Sequence, residues 1–396
     1  MGKALMDPPE RIMNGYKIYI VCGGTGGHLA PGIAVAQGLM KRGHKVSLII
    51  SRKEVDGRLI RDYPAIPWQV VDSAPLVFKP LFLVRFFYSQ TKGLLSCLSW
   101  FRREKPDLVM AFGGYTSFGV VMSASFLGIP VVLHEANRKV GRAIRFLKRF
   151  AHRIYLPPGI RLKGVSPRRI RHYGFPVRDE IRKTSREAAL RKLGLKPGGK
   201  WLMVIGGSQG ATSLNQWVNE NFESLAAEEI NVYCLTGLGK GSRGSIEAKT
   251  SSGKKAQAIF APFSNDMGTL ISAADLVISR AGAGTMAELI RCRKPGILVP
   301  YPYAADNHQV ANARFLEQQG GCIVVNSKNM GTLREEVMDL IFNDWLLEKI
   351  RENLNHLDER DARDLIVRDI EKILKTSGSE NVRRLSQSSI PEAGIW

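Results

Sequence analysis

Gly23–His28 reads GGTGGH and joins a short β-prone run, Lys17–Cys22, to a stretch of helical periodicity, Leu29–Lys41. Glycines let a backbone approach a ligand closely, and the first amides of a helix lack intrahelical partners and attract anions. The arrangement therefore suits a phosphate. It is not a dinucleotide fingerprint, because Leu29 stands where the third glycine belongs, and no Gly-Lys-Ser/Thr makes it a P-loop. His28 opens the helix at the carboxyl end of a strand, where ligands bind in open α/β sheets. An ordinary histidine pKa of ~6.5 suits proton removal near neutrality, so His28 is the candidate base; its plain alternative is a helix cap.

The device recurs. GGSQGA (Gly206–Ala211) follows the β-prone Trp201–Ile205, and Ser208 with the turn's amides suits a second phosphate. SRAGAGTMAEL (Ser279–Leu289) brings small residues to another helix start, with Glu288 one turn in. A carboxylate there can accept two hydrogen bonds from a ribose diol; as a mere dipole-facing glutamate it contributes only ~0.3–1 kcal/mol. DNHQ (Asp306–Gln309) offers neutral groups that suit sugar hydroxyls or an ordinary helix start. HEAN (His134–Asn137) and GGYTS (Gly113–Ser117) end strands in the same way, and Arg178 in GFPVR (Gly174–Arg178) can reach a diphosphate. All of these stand at carboxyl ends of strands.

The elements that must position them alternate. Lys45–Ile50, Asp107–Ala111 and Pro130–His134 read as buried strands separated by helical stretches; Asn231–Leu235, Asp275–Ser279 and Gly296–Val299 repeat the pattern. Each half opens with strand, glycine turn and helix. The fold class is α/β, with two doubly wound, Rossmann-like parallel-sheet domains facing across a cleft. The expected division is 1–175 and 176–354, with a helix near 355–375 packing back on the first domain and a disordered tail over 376–396. At ~100–200 residues per domain, two domains also suit the length.

The net charge of +21 asks for an acidic partner. Arg138–His172 carries twelve Lys/Arg and no Asp or Glu, and Arg138, Arg142, Arg145, Arg149 and Arg153 recur at helical spacing. Phe146 and Phe150 flank that face, as in an interfacial membrane helix. Leu76–Phe101 is rich in Phe and Leu but interrupted by Lys79, Arg85 and Lys92, too broken to span a bilayer. An anionic membrane surface fits better than nucleic acid, for which no recognition motif is present. Five scattered cysteines form no CxxC pair, so neither a disulfide framework nor a zinc site is expected. The first seventeen residues lack a signal peptide's apolar core, which points to the cytosol.

In order, GGTGGHLAPGIAVA, FGGYTSFG, PVVLHEAN, GFPVR, GGSQGA and SRAGAGTMAEL followed by DNHQ resemble the motifs of the MurG family of glycosyltransferase family 28, over roughly residues 17–325. The resemblance implies the two-domain GT-B fold, with a last helix crossing back to the first domain. It implies transfer of GlcNAc from UDP-GlcNAc to lipid I, the undecaprenyl-diphosphate-linked muramyl-pentapeptide, giving lipid II with inversion, at the cytoplasmic face of the membrane, without cofactor or metal. Another membrane-associated GT-B enzyme with a glycolipid acceptor is the alternative. Carried over by motif, the donor site comprises Thr25, Gly26, Gly27, Asn137, Arg178, Ser208, Ser264 (in FSND, beside Phe263), Ala283, Gly284, Thr285, Met286, Ala287, Glu288 for the ribose, and Gln309. Ala136 and His308 stand where relatives often carry glutamine.

Overall fold

The computed structural model describes residues 15–24, 26–75, 79–207, 210–241, 243–358 and 361–387, as backbone alone from residue 377. The first half contains β1 (Lys17–Val21), α1 (Gly26–Lys41), β2 (Lys45–Ile50), α2 (Glu54–Ile60), β3 (Trp68–Val70), α3 (Pro80–Glu104), β4 (Leu108–Ala111), α4 (Ser117–Phe126), β5 (Val131–His134), α5 (Arg142–Leu147), β6 (Arg153–Leu156) and β7 (Ile170–His172). Its seven strands are all parallel, in the order β3-β2-β1-β4-β5-β6-β7. Successive strand residues face opposite sides of a sheet. Ile18, Ile20 and Cys22 accordingly enter one core and Tyr19 and Val21 the other, so helices must cover both faces.

The second half contains α6 (Arg186–Leu193), β8 (Lys200–Ile205), α7 (Thr212–Ala227), β9 (Ile230–Leu235), β10 (Gly244–Lys249), β11 (Lys255–Ala261), α8 (Met267–Ala273), β12 (Leu276–Ser279), α9 (Ala283–Cys292), β13 (Gly296–Leu298), α10 (His308–Gln318), β14 (Ile323–Val324), α11 (Leu333–Ile341) and α12 (Asp344–Leu357). Its sheet runs β10-β11-β9-β8-β12-β13-β14. It is parallel except for β10, which folds back antiparallel on β11 as a mostly exposed edge. The chain crosses between halves near Gly174: Tyr173 packs on the first core, Phe175 and Val177 on the second.

The last helix, α13 (Ala362–Gln387), returns to the first half. Ile366, Val367, Ile370, Ile373 and Leu374, spaced as one helical stripe, are buried with Ile18 and Ile20 against α1. Gly38 of α1 permits the approach, since a Cβ there would stand 3.0 Å from Val367. The helix continues to Gln387, within the stretch from residue 376 expected to be disordered; residues 388–396 lie outside the described residues.

One surface expectation changes. The basic run is not one helix: α5 is six residues long, Lys148–Phe150 is a 3-10 turn, and Arg153 begins β6, whose Ile154, Tyr155 and Leu156 are buried in the sheet. Arg138, Arg142, Arg145, Arg149 and Arg153 thus share no helix face. Arg145 and Arg142 instead approach Asp306 of the second half at 3.1 and 3.8 Å. Leu76, Val77 and Phe78 lie outside the described residues. The rest of that segment forms α3, which is two-sided along its length. Its second half buries Gly93, Cys97 and Phe101, while its first half exposes Leu81 (78%), Val84, Phe87 and Tyr88 (70%), flanked by exposed Lys79 and Arg85.

Candidate functional site

The first glycine turn is fixed from below. Gly23 passes so close to β2 that a Cβ would lie 2.3 Å from the Ser51 nitrogen, and Gly24 has φ +110°. The Gly24 amide donates to Asp56 Oδ2 (2.8 Å), which also accepts from Ser51 Oγ (2.6 Å), and Lys53 Nζ donates to the Gly24 carbonyl (2.7 Å). Asp56 is fully buried. Thr25 lies outside the described residues; Gly26 begins α1 and Gly27 is exposed.

His28, half-buried, packs against the second turn of this half. Gly114, with φ +77°, brings its backbone to the imidazole; a Cβ there would stand 3.3 Å from Cε1 and Nδ1. Burial pushes the His28 pKa down to about 4, with Asp56 opposing and Lys53 and His308 adding to the shift. His28 is therefore neutral at pH 7. His308 belongs to α10, so the two halves face each other here.

HEAN divides into roles. Burial also pushes His134 down to about 4; its Nε2 approaches the Gly174 carbonyl at 3.4 Å. Glu135 is buried and accepts from the Asn137 and Gly141 amides (2.8 and 2.7 Å), which shapes the loop. Asn137 faces the other half: its Oδ1 accepts from Asn312 Nδ2 (3.1 Å), which also donates to the Ala281 carbonyl (3.1 Å), while Asn312 Oδ1 accepts from the Arg138 amide (2.9 Å). The Arg138 guanidinium stacks over Phe315, 3.7 Å from the ring centre. Asn312 is 1% exposed and clamps one half to the other. Asn312→Ala orphans buried acceptors, so it should cost about 1–3 kcal/mol of stability, read as a lower urea midpoint.

In the second half, Gly207 and Gly210 take φ +83° and +65°, and a Cβ on Gly210 would collide with the Thr236 carbonyl at 2.0 Å. Ser208 lies outside the described residues. At α9, Met286 is the first amide to find an intrahelical acceptor, Gly282 O at 3.0 Å. The mouth thus presents the amides of Ala283, Gly284 and Thr285 to an anion. Met286 and Ala287 turn their side chains into the core.

Glu288 is half-buried. Its Oε1 accepts from Arg178 Nη2 (3.0 Å), and Arg178 further meets Tyr63 Oη (3.1 Å) and Glu180 (3.4 Å). Burial works against the Arg178 charge, but Glu288, Tyr63 and Glu180 hold the guanidinium firmly protonated. Burial pushes the Glu288 carboxyl up, and Arg178 pulls it back. With its guanidinium at 3.0 Å, the pair is ionised. Gln309 Oε1 accepts from the Tyr301 amide (2.8 Å), and Ser264 Oγ from the Asp266 amide (3.2 Å). Phe263 reaches across to the first half's core. Helices α1 and α9 pack against each other, Arg178 joins Glu288, and Asn137 joins Asn312 of α10, so these groups lie where the two halves meet. Among the described residues there is no His/Cys/Asp/Glu group arranged to hold a metal.

Residues 18–156 match the glycosyltransferase family 28 N-terminal domain and residues 201–366 its C-terminal domain. The chain belongs to glycosyltransferase family 28. It is 51% identical, over 91% of its length and 96% of the relative, to the UDP-N-acetylglucosamine--N-acetylmuramyl-(pentapeptide) pyrophosphoryl-undecaprenol N-acetylglucosamine transferase of Opitutus terrae. The protein of the same name from Halothermothrix orenii is 33% identical over 91% of this chain and 100% of the relative. In structure the chain resembles Acinetobacter baumannii MurG (TM-score 0.66, 24% identity, 90% of this chain and 99% of that one). It also resembles the kitacinnamycin glycosyltransferase (TM-score 0.66, 16% identity, 91% and 100%), a likeness of fold. The GT-B fold and the MurG resemblance are both borne out, and the protein is a glycosyltransferase.

Sequence reasoning missed Asp56, Tyr63 and Asn312. Asp56 and Tyr63 lie in no glycine motif. Asn312 carried a faint signal: it sits one helical turn after His308, and so on the same face of α10 as DNHQ.

Proposed function

We propose that the protein transfers N-acetylglucosamine from UDP-GlcNAc to lipid I, the undecaprenyl-diphosphate-linked N-acetylmuramyl-pentapeptide, with inversion, to give lipid II. The relatives' names supply the substrates; the observation that carries the site is the packing of α1, whose first turn carries His28, against α9, whose Glu288 pairs with Arg178. In this reading Glu288 turns its second oxygen to the ribose, and the main chain at Ser264 meets the uracil. The amides of Ala283, Gly284 and Thr285, with Ser208 and Arg178, stabilise the diphosphate as it leaves. Asn137 and Gln309 hold the sugar, and Thr25, Gly26 and Gly27 approach it from the first half. A muramyl hydroxyl attacks the anomeric carbon from the face opposite UDP and gives its proton to His28. A base of pKa near 4 is weak, but the acceptor's own phosphates favour the charged imidazolium and raise it when bound. Amides and a guanidinium supply the charge stabilisation of the leaving diphosphate.

The work is done at the cytoplasmic face of a membrane, to which the protein binds peripherally. Among the described residues no helix is long and apolar enough to cross a bilayer. The exposed first half of α3, with Lys79 and Arg85 beside its apolar residues, fits a peripheral contact with anionic lipid. Leu81→Asp/Phe87→Asp should lower partition onto phosphatidylglycerol vesicles about tenfold or more and leave transfer in detergent intact. Equal partition of variant and parent would remove α3 from that role. The reaction itself is tested with UDP-[¹⁴C]GlcNAc and lipid I in detergent. Label should enter the lipid fraction only when the acceptor is present; acceptor-independent label, or none, contradicts the reading.

A further inference from the structure

A cavity of about 370 Å³ opens between α2 and the edge strand β3, beside the first glycine turn. Arg52, Lys53, Arg58 and Arg61 line it, with Trp68 and Val70 as its apolar wall. Among the described residues no carboxylate lines it. Arg58 in the last turn of α2 and Arg61, its C-cap residue with helical φ/ψ, are three residues apart and so share a face. Trp68 keeps 44% of its surface exposed. From outside the cavity, Asp72 meets Arg52 at 2.7 Å. Cations concentrated in one concavity focus a positive field, and guanidinium groups recognise carboxylates through paired hydrogen bonds.

We propose that this cavity binds the carboxylate end of the peptide carried by the acceptor, a proposal that rests on the transferase reading above. Three observations favour that occupant. The volume falls within the ~300–1,000 Å³ range of ligand pockets, far more than one carboxylate or phosphate fills. The indole wall suits a peptide's apolar side chains and is wasted on an inorganic ion. And the cavity shares Ser51 and Lys53 with the network that fixes the glycine turn: Lys53 Nζ holds the Gly24 carbonyl, and Ser51 and the Gly24 amide share Asp56. A peptide lodged here would tie acceptor identity to the glycine turn that leads into His28. A lipid headgroup would need neither the volume nor the indole.

The test is Arg58→Ala/Arg61→Ala, two exposed positions at the C-terminal end of α2, with thermal unfolding as the check on folding. KM for lipid I should rise about tenfold or more, with kcat and the KM for UDP-GlcNAc unchanged. With an acceptor whose peptide has been removed, parent and variant should have the same KM. An equal loss on both acceptors, or none on either, overturns the proposal. So does an unchanged KM in detergent combined with weaker binding to phosphatidylglycerol vesicles, which would assign the cavity to a headgroup. Should the parent turn over neither acceptor, the transferase reading fails by itself. Calorimetry with the free pentapeptide still decides the cavity: binding to the parent but not the variant supports it, and equal or absent binding overturns it.

Discussion

His28→Ala should lower kcat by about 10²–10⁴, the usual contribution of a positioned general base, while the folded protein survives. The imidazole stands against Gly114, with a carboxylate and a lysine acting on it through the turn that Asp56 and Lys53 fix. Its pH behaviour is distinctive. A folded pKa near 4 means the free enzyme already holds the basic form at neutrality. The kcat/KM profile should therefore show no His28 inflection between pH 5 and 8, and activity should fall only as pH drops through about 4. In the acceptor complex the phosphates raise that pKa, so the acid limb of kcat should lie at higher pH than that of kcat/KM. A loss below tenfold in a folded variant, or coincident acid limbs, would remove the proton-accepting role.

The second large effect concerns Glu288. Glu288→Gln keeps the shape but replaces charge-assisted hydrogen bonds to the ribose with neutral ones. The Kd for UDP should rise about 10–100-fold. The same change takes the nearest counter-charge from Arg178, which is 7% exposed. Removing one partner of a buried ion pair costs about 3–5 kcal/mol, an upper figure here because Glu180 remains 3.4 Å away. A lower thermal midpoint and weaker UDP binding should therefore appear together. Weaker binding with an unchanged midpoint would mean the Arg178 contact carries no structural load; a lower midpoint with unchanged UDP affinity would take the ribose from Glu288.

The strand–turn–helix units were readable because parallel strands buried on both faces leave continuous apolar runs: KIYIVC and WLMVI admit little else. The same logic failed where elements are short. Arg153–Leu156 is a four-residue strand, and the basic residues before it recur every three or four positions, imitating a helix that the chain does not form. The β10–β11 hairpin escaped because GSIEAK is largely exposed and lacks the apolar signature of its neighbours. At the site, glycine turns announce themselves locally, whereas the groups that hold them do not. Asp56 reaches Gly24 across 32 residues and Asn312 reaches Asn137 across 175, and no local spacing rule records such pairings. The Arg178–Glu288 pair shows the converse: both residues were legible as ligand groups, but their attachment to each other depends on the packing of two domains.

The measurement that bears most directly on the central claim is calorimetric titration of the parent protein and of Glu288→Gln with UDP. Saturable heat at one nucleotide per chain, with the variant's affinity reduced, is the predicted result. No heat with the parent, or identical curves for the two proteins, would contradict a nucleotide diphosphate held at the α9 mouth beside the Arg178–Glu288 pair.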